Sequence, residues 1–195
     1  TLPSTIEYIS YGAFRDCKNL QRINLPSRID TIGNNAFENT GLEAVVLPKS
    51  MKLIGNRAFA GCGKLKSVTL PDVLDYNGGK LFYNDTLLAT ITIPAGFPLS
   101  KGTFYGCTGL QSIVNEATVP QSIEWETVAY IDYATPVYVP QGSGSTYRAA
   151  YMWKNFNIID DTECYTVETE SEDETEGYVS GAGSYPEGTT VVIEA

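Results

Sequence analysis

The chain has no histidine among its 195 residues, and only four cysteines, two methionines and two tryptophans. Without histidine no Ser-His or Cys-His nucleophile pair can be assembled, and the commonest nitrogen ligand for zinc is missing. Basic residues are also absent beyond Lys154. Residues 1–159 hold 12 acids against all 13 Lys and Arg, a balance of +1, whereas residues 160–195 hold 11 acids and no base, a balance of −11. That step marks a candidate boundary near Asp160. The net charge of −10 argues against nucleic acid as a partner, because such binding neutralises phosphates with lysine and arginine. No apolar run approaches the ~18 residues of a membrane helix, so no membrane insertion is expected within this segment. No signal-peptide pattern opens the sequence either. With 43% hydrophobic residues and 13 tyrosines, the composition is that of a folded protein.

What is present is an internal repeat. A Leu-Pro or Ile-Pro step followed by apolar anchors and a Phe recurs at Leu2 to Phe14, Leu25 to Phe37, Leu47 to Phe59, Leu70 to Phe82 and Ile93 to Phe104. The Phe-to-Phe steps alternate between 23 and 22 residues. Between each Phe and the next Leu-Pro lies a strand-like L-x-x-[IV]-x-[LI], as in LQRINL from Leu20, LEAVVL from Leu42, LKSVTL from Leu65 and LATITI from Leu88. A fixed period of this length means stacked coils. One coil buries too few side chains to offset the entropy of ordering it. Stacking supplies the missing burial and pairs each short strand with its neighbours. The proline after each strand cannot donate to a ladder and turns the chain. Thr1 falls inside this pattern, so the chain is read as part of a longer protein.

The run LPSRIDTIGNNAFENTGLEAVVLPKSMKLIGNRAFAGCGKLKSVTLP resembles the leucine-rich repeats of the BspA type, found in surface antigens of anaerobic commensal bacteria and in some protist surface proteins. The resemblance implies a mostly β fold: a right-handed leucine-rich repeat solenoid with short strands, a helix-containing C-terminal cap, and then a small partial all-β segment. On this reading residues 1–116 form about five coils, 117–161 the cap and 162–195 the partial β module. The stretch ATPVYVPQGSGSTYRAAYMWKNFNIID resembles the usual ending of such arrays. It is expected to hold a strand at Val137 to Val139 and a short helix N-capped by Ser143 or Ser145, with Trp153 and Phe156 sealing the last coil.

Departures from the pattern are informative. Asn77 stands where the earlier coils have Ile9, Ile32 and Ile54, which predicts an irregular back to the fourth coil. The fifth coil is one residue short before Phe104, and its strand ends in Asn115-Glu116, where the regular array is expected to stop. Cys17, Cys62 and Cys107 each lie three residues after a repeat Phe, in a slot filled by Thr40 in the second coil and Asp85 in the fourth. Cysteines in alternate coils stand roughly 9–10 Å apart at a strand spacing of ~4.8 Å, beyond the ~7 Å Cα limit for a disulfide. All three are therefore expected to be small buried thiols. Cys164 lies beyond the array and is read as a free thiol or unpaired strand residue.

From about Thr162 onward, strand-like runs at Tyr165 to Glu170, Gly177 to Ser180 and Thr189 to Glu194 alternate with Gly-rich turns. This segment resembles the opening of a divergent internalin B-type repeat, although the family's following aromatic-rich strand is absent. The acidic run Glu168 to Glu176 could gather calcium but lacks the D-x-[DN]-x-[DN]-G loop spacing, and reads as a solvated hairpin tip. GSGST at Gly142 lacks the lysine of a phosphate loop and reads as a helix start.

No catalytic, cofactor-binding or metal site emerges, so function is argued from surface. In L-x-x-[IV]-x-[LI] the third and fifth side chains point outward together. They form two columns, Arg22, Ala44, Ser67, Thr90 and Ser112 beside Asn24, Val46, Thr69, Thr92 and Val114, a flat face suited to a protein or glycan. The resemblance implies a non-enzymatic, extracellular or cell-surface, outer membrane-associated binding module, a monomer that adheres to a host or microbial surface protein or glycan. The alternative is a passive spacer that displays other modules of a larger surface protein.

Overall fold

The structure, a computed structural model, describes residues 2–160 and two further strands, Cys164–Val167 and Gly183–Pro186. The second, third and fourth repeats each contribute a short back strand, a turn and a front strand, and strands are numbered here in chain order. The back strands β1 (Tyr8–Ile9), β2 (Thr31–Ile32), β4 (Leu53–Ile54) and β6 (Tyr76–Asn77) form one parallel sheet in that order. The front strands are β3 (Ala44–Val46), β5 (Ser67–Thr69), β7 (Thr90–Ile93), β8 (Ser112–Asn115), β9 (Pro136–Tyr138) and β10 (Asn157–Ile159). They divide into two parallel sheets, β3–β5 and β7–β8–β9–β10. The molecule is thus a mostly β solenoid with little helix.

The turns carry the most regular bonding. Gly12, Phe14 and Asp16 donate their N–H groups to the carbonyls of Asn34, Ala36 and Glu38 in the next coil, at 3.0, 2.8 and 2.8 Å. Asn35, Phe37 and Asn39 repeat this to Asn56, Ala58 and Ala60; Arg57, Phe59 and Gly61 to Gly79, Leu81 and Tyr83; Lys80, Phe82 and Asn84 to Lys101, Thr103 and Tyr105. Each of the five Phe-bearing turns uses left-handed backbone twice, four residues apart: Gly12 and Asp16, Asn35 and Asn39, Arg57 and Gly61, Lys80 and Asn84, Gly102 and Gly106. Gly, Asn and Asp tolerate that region best, which accounts for most of these identities.

Inside the coils the repeat phenylalanines stack. Phe14–Phe37 and Phe37–Phe59 have ring centroids 5.1 Å apart and planes within 5°, whereas Phe59–Phe82 opens to 6.0 Å and 22°. Phe82–Phe104 follows at 5.9 Å and 10°. Ile, Leu and Val from both strands of each coil fill the space around this spine.

Three sequence expectations are corrected. The Leu20–Leu25 segment is not a strand; it has a described coil on one side only, and Gln21 accepts an N–H from Glu43. Asn77 does not disturb its own coil: it pairs in register with Ile54, and its amide donates to the Pro98 carbonyl. The loss of regularity comes one coil later, where no back strand pairs with β6. Past the regular motif the front ladder goes on: β9 overlaps the strand expected at Val137 to Val139, and β10 adds a further rung. The sixth turn is hidden in the sequence because Val128 takes the place of Phe: Phe104 and Gly106 donate to Thr127 and Ala129 just as Phe82 and Asn84 donate to Thr103 and Tyr105.

The last described coil contains helix α1 (Gly144–Ala149) and a 3-10 turn, Trp153–Asn155. Tyr147, Trp153 and Phe156 are buried. The Tyr147 hydroxyl donates to the Ala117 carbonyl and the Trp153 indole to that of Gln121, both at 2.8 Å. Ser143 occupies the N-cap position but makes no cap with its side chain. Its αR backbone turns the hydroxyl back onto the Pro140 carbonyl at 2.6 Å, and the Asp160 carboxylate accepts the Gly144 N–H instead, at 3.0 Å. Ser145 lies within the helix.

Beyond the stack, β11 (Cys164–Val167) and β12 (Gly183–Pro186) pair antiparallel. β12 falls between the expected strand-like runs, where Gly-rich turns are expected, and its pairing with β11 makes it strand. The runs Gly177–Ser180 and Thr189–Glu194 and the acidic stretch 168–176 lie outside the described residues.

Candidate functional site

The strand register assembles the two outward columns. Ala44 lies beside Ser67 and Val46 beside Thr69; Thr90 lies beside Ser112 and Thr92 beside Val114. Arg22 and Asn24 sit on the strandless first rung, both exposed. Ser67, Thr69, Thr90, Thr92 and Ser112 are half-buried and give the face a run of hydroxyls. Two members are not exposed as expected. Ala44 and Val114 are each 6% exposed: the short Ala44 side chain is shaded by its neighbours, and Val114 lies beside Tyr138 of β9. The face is also in two halves, because β5 and β7 belong to different sheets.

The slot three residues after each Phe is settled by direction. The thiols of Cys62 and Cys107 point back to the preceding coil and donate to the carbonyls of Phe37 and Phe82, at 3.2 and 3.0 Å. The Thr40 hydroxyl lies 3.1 Å from the Cys62 sulfur. Burial pushes the Cys62 thiol up to about 12 and holds Cys107 well above the ordinary thiol range, so neither is a nucleophile. Cys17 is exposed, against expectation, since no described coil precedes it to receive its thiol. Asp85, in the same slot, is completely buried, and neither carboxylate oxygen has a hydrogen-bond partner. Among the described residues no three Cys, Asp or Glu side chains come together as a metal site would require.

Two further surfaces were not read from the sequence. Along the turns, the residue after each Phe forms a row: Arg15, Glu38, Ala60, Tyr83, Tyr105. The buried Glu38 carboxylate binds Arg15 at 2.9 Å and Arg57 at 2.6 Å, and accepts the Asn35 amide at 2.8 Å. The Arg57 guanidinium, passing the small Ala60, also lies 5.2 Å from the centre of the Tyr83 ring. Tyr83 stacks on Tyr105 at 4.6 Å, and Tyr130 meets Tyr105 edge-on at 5.1 Å. The hydrogen bond with Tyr130 is the main cause that pushes the Tyr105 phenol up to about 12. On the back sheet, register aligns Tyr8, Thr31, Leu53 and Tyr76 in an outward column. The signal for it was present, one position before each back-strand Ile, but two-residue strands show no alternation by which to recognise it.

Coils of 22–23 residues, parallel front strands and a phenylalanine spine define a solenoid of the leucine-rich repeat class. The model of the BspA type leucine rich repeat region matches residues 1–111 in six copies. The chain belongs to that family. A solved structure, that of a leucine-rich repeat protein from Bacteroides ovatus ATCC 8483, is similar at 24% identity and a TM-score of 0.41, over 71% of this chain. The chain spans about half the length of that protein, 48%. No curated protein matches it. No helix among the described residues is long and apolar enough to cross a membrane.

Proposed function

We propose that the chain is a non-enzymatic binding module of a secreted or surface-exposed protein, and that it adheres to a protein or glycan partner through its front strand face. One observation carries the reading: half-buried hydroxyls line both halves of the front face, Ser67 and Thr69 on β5 and Thr90, Thr92 and Ser112 on β7 and β8, where parallel register sets Thr90 beside Ser112. Such a surface makes many modest contacts over an extended area, as macromolecular interfaces do, and lacks the enclosed concavity that small molecules favour. Family membership supports a surface or interaction role in general terms.

Arginine at both Thr69 and Thr92 inserts two long cations into the middle of this face. Binding to a host matrix protein or glycan identified by array screening is expected to be lost, with the thermal unfolding transition unchanged. Full binding by a normally folded double variant would remove the front face from consideration. Failure of the unmodified chain to bind anything on such arrays favours the spacer role.

A further inference from the structure

On the front side, the junction between the third and fourth coils is the loosest of the first four. The equivalent front-side hydrogen bonds are Glu43 to Gln21 at 3.0 Å, Lys66 to Glu43 at 2.8 Å, Ala89 to Lys66 at 3.4 Å and Gln111 to Ala89 at 2.8 Å, and the long one spans coils 3 and 4. β5 and β7, which flank this junction, do not pair, whereas β3–β5 and β7–β8 do. The phenylalanine spine tilts by 22° here against 5° in the two steps before it. The turn bond from Phe59 to Leu81, 3.1 Å, is the longest of its series, the others lying at 2.8 to 2.9 Å. The back side remains closed, with β4 and β6 in register.

Asp85 stands at this junction. Its slot faces the preceding coil, where two of the other side chains in the same position deliver a hydrogen to a phenylalanine carbonyl. The corresponding acceptor for Asp85 is the Phe59 carbonyl, and only a protonated carboxyl has a hydrogen to give it. An ionised carboxylate there would be left in a solvent-free slot without a hydrogen-bond partner. The titratable groups that act there are the thiols of Cys62 from coil 3 and Cys107 from coil 5, both neutral; the Cys62 and Gly61 N–H groups face the carboxyl without reaching hydrogen-bond geometry.

We propose that the coil 3–coil 4 junction is a pH-dependent joint, closed when Asp85 carries its proton and loosened on the front side when it does not. The two halves of the front face meet at this joint, so its state sets how they lie against each other. Burial independently holds the Asp85 carboxyl well above the usual carboxylate range. The sign follows from linkage: above the unfolded-state value of about 4 the folded state holds the proton that the unfolded state has lost, so stability falls as pH rises until the folded state ionises too.

The test is urea unfolding of the wild type, Asp85→Asn and Asp85→Thr between pH 4 and pH 9, with hydrogen exchange read at β7 and at β2. Asparagine keeps the shape and supplies a permanent donor; threonine is the residue the second coil uses in this slot and serves if the first variant does not fold. Relative to either variant, the wild-type unfolding constant is expected to rise by up to tenfold per pH unit above about 4, leaving the wild type less stable at neutral pH. Exchange at β7 is expected to be faster in the wild type than in the variant at pH 8 and equal at pH 5, with β2 unaffected. Stability curves that run parallel across the range, or an exchange difference spread evenly over both strands, would overturn the proposal.

Discussion

A repeat slot is defined by where its side chain points, and the cysteines show the consequence. Because each slot aims at the preceding coil, the same residue type is buried at 62 and 107 and exposed at 17. A maleimide probe applied to the native protein should label Cys17 at once and reach Cys62 and Cys107 only after unfolding, as peptide mapping would show. Cys62→Ala removes a packed sulfur and leaves the Thr40 hydroxyl without its contact, for a loss of about 1–2 kcal/mol in urea unfolding. The sequence placed these thiols in one column correctly but gave no direction for the column. That direction depends on which neighbour a side chain leans toward, and spacing within one chain does not encode it. Lys80 is a second case. Its φ of 50° puts a β-carbon where the other turns mostly use Gly or Asn, so Lys80→Gly is expected to stabilise the fold by roughly 0.5–1 kcal/mol, the left-handed cost exceeding the added chain entropy. A lower midpoint in chemical denaturation would contradict this.

At the level of elements, long alternating strands were legible and short ones were not. LKSVTL and LATITI show apolar positions every second residue, and both become front strands. The back strands have two residues each and no period to detect. The sixth turn escaped notice because Val128 replaces the Phe that marks the others, although its left-handed residue, Tyr130, matches Gly106. The end of the stack depends on buried Tyr147, Trp153 and Phe156, with the Tyr147 hydroxyl and the Trp153 indole reaching back to the carbonyls of Ala117 and Gln121. Removing residues 136–160 exposes β8 as an open edge together with the apolar interior behind it. The shortened chain is expected to elute from size-exclusion chromatography as aggregate. A monomeric, cooperatively unfolding fragment would show that the stack stands without these elements.

For the whole molecule, the turn bonds that hold neighbouring coils together have an electrical consequence. In each turn the peptide groups 11–12, 13–14 and 15–16, and their counterparts in the next three coils, send the carbonyl toward the preceding coil and the N–H toward the following one. Their dipoles therefore add along the solenoid instead of cancelling as strand dipoles do. Three parallel chains of hydrogen-bonded peptides run through four coils, each bond polarising the next, as the peptides of a helix do along its axis. Within the described coils the negative side of this alignment faces Tyr11, Ala13 and Arg15 and the positive side faces Lys101, Thr127 and Ala129. Arg15, held by the buried Glu38, places a fixed cation at the negative pole, where the field of the stacked turns favours it.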